Sequence, residues 1–196
     1  VMIRDALDQG NDRIVGLLLE RAQAGNVHTP ALSWLAGQRE EKRGEMAKAL
    51  RRYREGAARF GQAIQLREAM AATALTLRDG QAAHESYTWL LNQQPAELSW
   101  KLGLGVAARM MGRLEEAARL YEEILKVEPD SKQALWNDGL LAFRYEGDYE
   151  RAQLRFSRLS PLLQEGSKEY PELVLLLRES TTLAEEDRAI AAEEEA

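Results

Sequence analysis

The chain has 196 residues, of which 45% are hydrophobic and 30% charged, and it carries a formal net charge of −6. It has no cysteine, which excludes disulfides and thiol chemistry, and it lacks the run of about 18 apolar residues that a membrane-spanning helix requires. The negative charge argues against nucleic acid as a partner. The compartment stays open, because cytosol and periplasm are both compatible with the absence of cysteine.

Residues 1–29 precede the first full copy of a repeated pattern and are predicted to hold a partial copy. Val15, Leu19 and Ala22 have the three-and-four spacing of one face of an amphipathic helix. The chain begins with Val1 and shows no secretory leader pattern. We therefore expect it to be a piece of a longer protein.

Residues 30–166 follow a repeat of 34 residues. Small residues recur at that interval in one column: Gly37, Ala71, Gly105 and Gly139. A second column pairs an alanine with an aromatic residue four positions later: Ala49 and Tyr53, Ala83 and Tyr87, Ala117 and Tyr121, and, after one extra residue, Ala152 and Phe156. Two columns in phase predict four tandem copies, at 30–63, 64–97, 98–131 and 132–166.

Each copy has room for two helices and a short turn, as the third copy illustrates. Its apolar residues show helical spacing before and after Gly112, which lies where a turn needs unusual backbone angles. Pro129 ends the second helix, and Asp130 with Ser131 is expected to cap the next one. The small residues Gly105 and Ala117 would let the two helix backbones approach closely.

This pattern resembles the tetratricopeptide repeat family, whose unit has a small residue in its first helix, an alanine and an aromatic residue in its second, and a closing proline. Three positions depart from the pattern: Gly61 and Gln164 replace the closing proline, and Arg78 stands where a turn glycine is expected. The resemblance implies an all-α fold, a right-handed solenoid of antiparallel helix pairs that forms one continuous domain. It also implies that the first helices line a concave groove that holds a partner protein or peptide.

Residues 167–196 are predicted to form a C-terminal capping helix and an acidic tail. The helix would begin at Tyr170 and Pro171 and become steadily more acidic. From 169 to 196 there are nine acidic residues and two arginines, whereas residues 39–68 hold nine basic residues and five acidic ones. These two segments are either ordinary solvated helix faces or a pair of complementary surfaces.

Residues that could carry catalysis are nearly absent. His28 and His84 have no second ligand at metal-binding spacing, and the chain has neither a glycine-rich phosphate loop nor a nucleophile elbow. Paired glutamates are predicted on an outer helix face, where carboxylates solubilise the protein. We therefore expect no catalytic residue, no cofactor and no metal site, and a protein that is not an enzyme.

The third and fourth copies carry the candidate binding surface. The register of the resemblance places eight residues in the groove there: Leu102, Val106, Arg109, Met110, Trp136, Leu140, Phe143 and Arg144. They are more apolar than the repeat packing requires, which is typical of a protein-binding surface with arginines at its rim. If the extra residue of the fourth copy lies before its first helix, however, Trp136 and Phe143 belong to the core between helices.

These observations together predict a non-catalytic scaffold for protein–protein interaction, with no nucleic acid partner and no membrane insertion in this segment. The lysine, asparagine and arginine set with which some members of the family clamp a chaperone C terminus is absent at the corresponding positions. A bacterial envelope assembly, such as exopolysaccharide export, secretion or pilus assembly, is the expected context. The alternative is a regulatory or substrate-recruiting arm of a larger enzyme such as a glycosyltransferase. The oligomeric state is left open.

Overall fold

The computed structural model describes residues 12–194, and throughout that range the chain consists of helices and short connections, without a strand. The α-helices are, in chain order, α1 (Asp12–Ala24), α2 (Pro30–Lys42), α3 (Met46–Arg59), α4 (Ile64–Thr76), α5 (Gly80–Gln93), α6 (Leu98–Met110), α7 (Leu114–Val127), α8 (Lys132–Leu141), α9 (Tyr149–Leu159) and α10 (Tyr170–Glu194). A π-helical turn, Ala142–Glu146, extends α8, and a 3₁₀ turn, Ser160–Leu162, follows α9. In the described part of the chain no helix is both long enough and apolar enough to cross a membrane.

The chain divides into two compact units, Val1–Glu97 and Leu98–Ala196. The first unit contains α1 and the two helix pairs α2/α3 and α4/α5. Its interior is built from fully buried side chains that alternate between the helices, among them Val15, Leu35, Tyr53, Leu66 and Leu90. The predicted residues 1–11 of the partial repeat lie outside the described residues.

The second unit contains the pairs α6/α7 and α8/α9 and the long helix α10. Ile124, Leu135, Phe156 and Leu159 form the centre of one apolar cluster, which Leu173 of α10 joins. The inner face of α10 is buried only as far as Ala184. Beyond Ala184 its described side chains are exposed.

The recurring small residues bring the two helices of a repeat into close contact. A Cβ atom added at Gly105 would lie 2.6 Å from Cε1 of Tyr121, and one added at Gly139 would lie 2.5 Å from Cε1 of Phe156. The same relation holds in the first unit, where a Cβ at Gly37 would lie 2.2 Å from Cε1 of Tyr53. An aromatic ring therefore occupies the space that any larger residue would need, as the sequence pattern predicted.

The turn between the helices of each repeat requires a left-handed backbone. Gly44, Gly112 and Gly147 have φ values of 76°, 73° and 67°. Arg78 takes the same position in the second repeat with φ 59°, although it is not a glycine. The turn geometry is thus preserved where the sequence departs from the pattern, at the steric cost that a side chain imposes in this region.

The extra residue of the fourth repeat lies within its first helix. Gly139 keeps the 34-residue interval from Gly105, but Gly147 follows Gly139 by eight positions, whereas Gly112 follows Gly105 by seven. The π-helical turn Ala142–Glu146 lies between Gly139 and Gly147 and absorbs the surplus, because a π turn holds one more residue than an α turn. The alternative that places the extra residue before this helix is therefore wrong.

Side chains cap some of the helices. Thr29 accepts a hydrogen bond from the backbone N–H of Leu32, and Asp79 and Asp148 cap α5 and α9 in the same way. Ser131 stands at the N-cap of α8, as predicted, but its side chain makes no capping hydrogen bond. The expected side-chain cap at that position is therefore wrong, and α8 begins without one.

Candidate functional site

The first helices of the second unit expose a mixed apolar and basic surface. We call it the first-helix face, and its predicted members are Leu102, Val106, Arg109 and Met110 of α6, Trp136 and Leu140 of α8, and Phe143 and Arg144 of the π turn. Met110 is 37% exposed and Arg144 is also exposed, whereas the other six are half-buried. These six therefore present only part of their side chains to solvent.

The side chains of Trp136 and Phe143 are partly exposed on this face and also pack against the interior. Trp136 makes an edge-to-face contact with the buried Phe156, with ring centroids 6.5 Å apart. Phe143 makes a similar contact with Tyr149 at 5.8 Å. Both pack against the apolar cluster of the unit, together with Leu102 and Leu140. Each of these residues has a packing role in addition to any role in binding.

Arg109 is held by a tyrosine that the sequence reasoning missed. Its Nη1 donates a hydrogen bond of 3.2 Å to the hydroxyl of Tyr145, and its guanidinium lies 5.7 Å from the centre of the Tyr145 ring. The extra residue of the fourth repeat could have indicated this tyrosine. If the insertion is counted, the residue that corresponds to Met110 lies 35 positions later and is Tyr145. Tyr145 is 51% exposed and so extends the face in the direction of the π turn.

Arg144 contacts a different partner from Arg109. Its Nη2 lies 3.1 Å from Glu172 Oε1 at the start of α10, and both side chains are about half exposed. Such an exposed ion pair contributes little to stability. The two arginines predicted for the rim therefore stand in different surroundings, one beside an aromatic ring and the other beside a carboxylate.

Beneath Arg109 lies a buried hydroxyl without a hydrogen-bond partner. Tyr121 is fully buried, and among the described residues no group has the geometry of a hydrogen bond with its hydroxyl or with Arg109 Nε, which is also buried. Burial raises the pKa of Tyr121 to about 12, and the nearby Arg109 opposes that rise. The site thus has two polar groups that lack an acceptor.

The equivalent position in the first unit is fully paired. The Tyr53 hydroxyl accepts a hydrogen bond of 2.9 Å from Gln38 Nε2, which also donates to Glu41 Oε2 at 2.7 Å. Thr73 of the next repeat donates to Glu41 Oε1 at 2.6 Å. Burial is the main cause that raises the pKa of Tyr53. Gln38 and Glu41 correspond in the repeat to Val106 and Arg109, so the second unit replaces an amide and a carboxylate by an apolar group and a cation.

A shallow cleft adjoins this surface. It has a volume of about 320 Å³, lies beside Trp136 and Leu159, and continues to Leu163 after the 3₁₀ turn. Lys132 and Glu169 are its charged lining residues. It gathers no set of side chains for acid–base or nucleophilic chemistry.

Within residues 12–194 no group of three or more histidine or acidic side chains is placed to hold a metal ion. His28 is engaged with its neighbour Asn26, with 2.9 Å between Nε2 and Oδ1. On α3, the basic residues Arg51, Arg52 and Arg54 are exposed, and Arg54 lies 3.9 Å from Asp79. The described basic side chains of that helix form a solvated surface.

Comparison with known proteins identifies the repeat in part of the chain. A tetratricopeptide repeat family model matches residues 68–126 and 110–154. No match was found among curated proteins.

Solved structures agree over most of the chain. A tetratricopeptide repeat protein from Parabacteroides merdae has a TM-score of 0.74 and 20% identity, over 99% of this chain and 75% of that one. MamA of Desulfovibrio magneticus RS-1, from residue 41 to its end, has a TM-score of 0.74 and 15% identity, over 82% of this chain and 90% of that one. MamA of strain AMB-1 has a TM-score of 0.68 and 18% identity, over 87% of this chain and 92% of that one. At such identities the likeness is one of fold.

These matches agree with the paired helices and with the columns of small and aromatic residues at the 34-residue interval. They confirm the predicted all-α solenoid of paired helices, and such repeats generally bind protein partners. Residues 68–154 therefore carry tetratricopeptide repeats.

Proposed function

We propose that the chain is a non-catalytic scaffold that holds a segment of a partner protein on the first-helix face of its second unit. The repeat fold fits a protein-interaction module. Val106 and Met110 of this face lie outside the columns of small and aromatic residues, whereas Leu102, Trp136, Leu140 and Phe143 also pack against the interior. The partner is a protein segment with apolar anchor residues.

The exposure of Met110 beside Val106 is the observation that supports this proposal. Met110 is 37% exposed, and Val106, one helical turn before it, is half-buried. Neither belongs to the columns of small and aromatic residues that hold the helix pair together. Methionine adapts its shape to different partners, and apolar groups at this position gain free energy when a partner covers them.

Selection from a random peptide library on the purified chain would supply the probe that tests this proposal. For the peptides that bind, we expect the double variant Val106→Glu and Met110→Glu to weaken affinity by about 10-fold to 100-fold, which corresponds to roughly 1.4 to 3 kcal/mol. Circular dichroism and urea unfolding should stay close to those of the parent. The matched control is Leu154→Glu, which places the same charge on an apolar residue of α9 that is 54% exposed.

Two results would contradict the proposal. If the double glutamate variant unfolds, the two side chains belong to the core. If it stays folded and binds the selected peptides as tightly as the parent does, another surface is the binding site, and the exposed basic residues of α3 become the first candidate. The envelope context and the regulatory arm of a larger enzyme stay predictions from the sequence.

A further inference from the structure

The first-helix face contains a place where polar groups lack a partner that the same fold supplies elsewhere. Tyr53 and Tyr121 are equivalent residues, two repeats apart, and both are fully buried. The Tyr53 hydroxyl is paired with Gln38. In the third repeat Val106 replaces that glutamine, and the Tyr121 hydroxyl has no hydrogen-bond partner among the described groups.

The charge at this place is reversed between the two units. Glu41 accepts hydrogen bonds from Gln38 and Thr73 in the first unit. The equivalent residue in the third repeat is Arg109, which can only donate. Its Nε is buried without an acceptor, and its Nη1 is used by Tyr145. The third repeat therefore offers donors where the first repeat contains its own acceptor.

From this arrangement we infer that the site binds the carboxylate of an aspartate or glutamate side chain in the partner segment, between the Arg109 guanidinium and the Tyr121 hydroxyl. A carboxylate accepts hydrogen bonds from both groups and balances the cationic charge. The inference rests on the proposed function, because it names the chemistry of a segment bound on the same face.

A carboxylate reaches the buried hydroxyl when the Arg109 guanidinium beside it moves. The described contacts of its guanidinium are a hydrogen bond and a ring contact with the exposed Tyr145 and a favourable charge interaction with the Tyr121 hydroxyl beneath it. A side chain of this length can rotate toward an entering carboxylate while its apolar stem stays packed. Tyr145 then remains as a neighbouring aromatic surface for the bound segment.

The apolar surroundings favour an internal acidic residue over a chain terminus. Val106 precedes Arg109 and Met110 follows it on α6, and Leu140 lies on the next first helix. A segment that covers apolar groups on both sides of Arg109 must continue past it. The carboxylate therefore comes from a side chain, with apolar residues before and after it.

A selection of random dodecapeptides tests this inference if the peptides are fused through their C termini, so that none offers a free terminal carboxylate. We expect the selected peptides to contain an aspartate or glutamate flanked by apolar residues. Replacement of that acid by its amide should weaken binding at least about 10-fold, which is about 1.4 kcal/mol. Arg109→Gln and Tyr121→Phe should each weaken binding of the acidic peptide and remove most of its preference over the amide form.

Controls separate this inference from the proposed function. Arg119→Gln, which removes an exposed cation from α7, should leave the preference unchanged. If the peptides depend on Val106 and Met110 but tolerate the amide, Arg109→Gln or Tyr121→Phe, the inference is overturned while the proposed function stands. If they do not depend on Val106 and Met110, the proposed function fails first. Because Tyr121→Phe only removes a hydroxyl that has no hydrogen-bond partner, its melting temperature would show that the fold is intact.

Discussion

The side-chain amide of Gln38 donates a hydrogen bond of 2.9 Å to the hydroxyl of Tyr53, and this bond joins the first helix of a repeat to the second. It relieves the cost of burying a phenol in an apolar interior. Two repeats later the same ring position is kept by Tyr121, but the amide is lost. The pair of tyrosines is therefore a natural comparison of a satisfied and an unsatisfied hydroxyl in one fold.

Removal of the Tyr53 hydroxyl should lower the stability of the fold, whereas removal of the Tyr121 hydroxyl should not. Tyr53→Phe breaks a hydrogen bond and should lower the free energy of unfolding by about 1 kcal/mol. Tyr121→Phe removes a polar atom that has no partner and should leave stability unchanged or raise it slightly. Urea unfolding followed by circular dichroism measures both. Equal losses in the two variants would show that the Tyr121 hydroxyl is paired after all.

A buried ion pair in the fourth repeat should be replaceable by apolar residues. Asp138 is 2% exposed, and its Oδ2 lies 2.6 Å from Arg155 Nε. Asp138→Ala would leave Arg155 largely buried without its carboxylate, at a cost on the order of 3 kcal/mol. The third repeat has buried Leu104 and Leu120 at the equivalent positions.

The double variant Asp138→Leu and Arg155→Leu is the matched test of that pair. This double variant has the apolar residue types of the third repeat and avoids the desolvation of two charges. We therefore expect its free energy of unfolding to lie within about 1 kcal/mol of that of the parent. The midpoint of urea unfolding should therefore fall in the single variant and recover in the double one. A double variant no more stable than Asp138→Ala would indicate that the charges themselves are needed for packing.

The contact between α1 and α2 should weaken in acid. Asp12 lies 2.7 Å from both Arg39 and Arg43, and these hydrogen bonds lower its pKa from 3.8 to about 2. A carboxyl whose pKa is lower in the folded state stabilises that state above its ordinary pKa, and this contribution is lost as pH falls through the folded pKa. The protection of the α1 amides, measured relative to their intrinsic exchange rate at each pH, should therefore fall between about pH 4 and pH 2.

Asp12→Asn is the control for that titration, because the variant has no carboxyl to protonate. The α1 amides of this variant should be less protected at neutral pH, and their protection should change less on acidification. The carbon resonance of the Asp12 carboxyl would report its pKa directly. A titration at the ordinary value of an aspartate would mean that the two arginines do not hold this carboxylate in solution.

The two halves of α10 should respond differently to truncation. Removal of the residues after Ala184 takes away exposed side chains and one exposed ion pair, Arg188 with Glu150, so the melting temperature should barely change. Removal of everything from Pro171 onward would uncover the apolar cluster around Phe156, which Leu173 and Leu176 cover. That variant should melt lower and aggregate, and similar melting of the two truncations would rule out a capping role for the first half of α10.

The helix pairs could be predicted because their contacts are encoded at fixed intervals. Gly105 and Tyr121 are 16 residues apart, and a ring can fill that space only if the facing residue is small. The turn at Arg78 was harder to predict, because the residue type disagrees with the backbone it adopts. Its position in the repeat, and not its chemistry, indicated the turn.

The polar side chains could not be predicted in the same way. The hydrogen bond between Thr73 and Glu41 joins two repeats, so no interval within one repeat reveals it. The sequence showed Asp138 in a column where the other copies have Ala36, Met70 and Leu104, but not that Arg155 would neutralise it. Tyr145 was not predicted because the extra residue of the fourth repeat places it one position beyond the 34-residue register.

The π-helical turn of the fourth repeat shows how a periodic protein can tolerate a change of length. A residue gained inside a helix would ordinarily rotate everything after it by about 100° around the helix axis. Here the wide turn takes up that rotation before Gly147, so that α9 meets α8 with the same facing residues as its counterparts. The end of a first helix is thus a position where evolution can insert a single residue without a compensating deletion elsewhere.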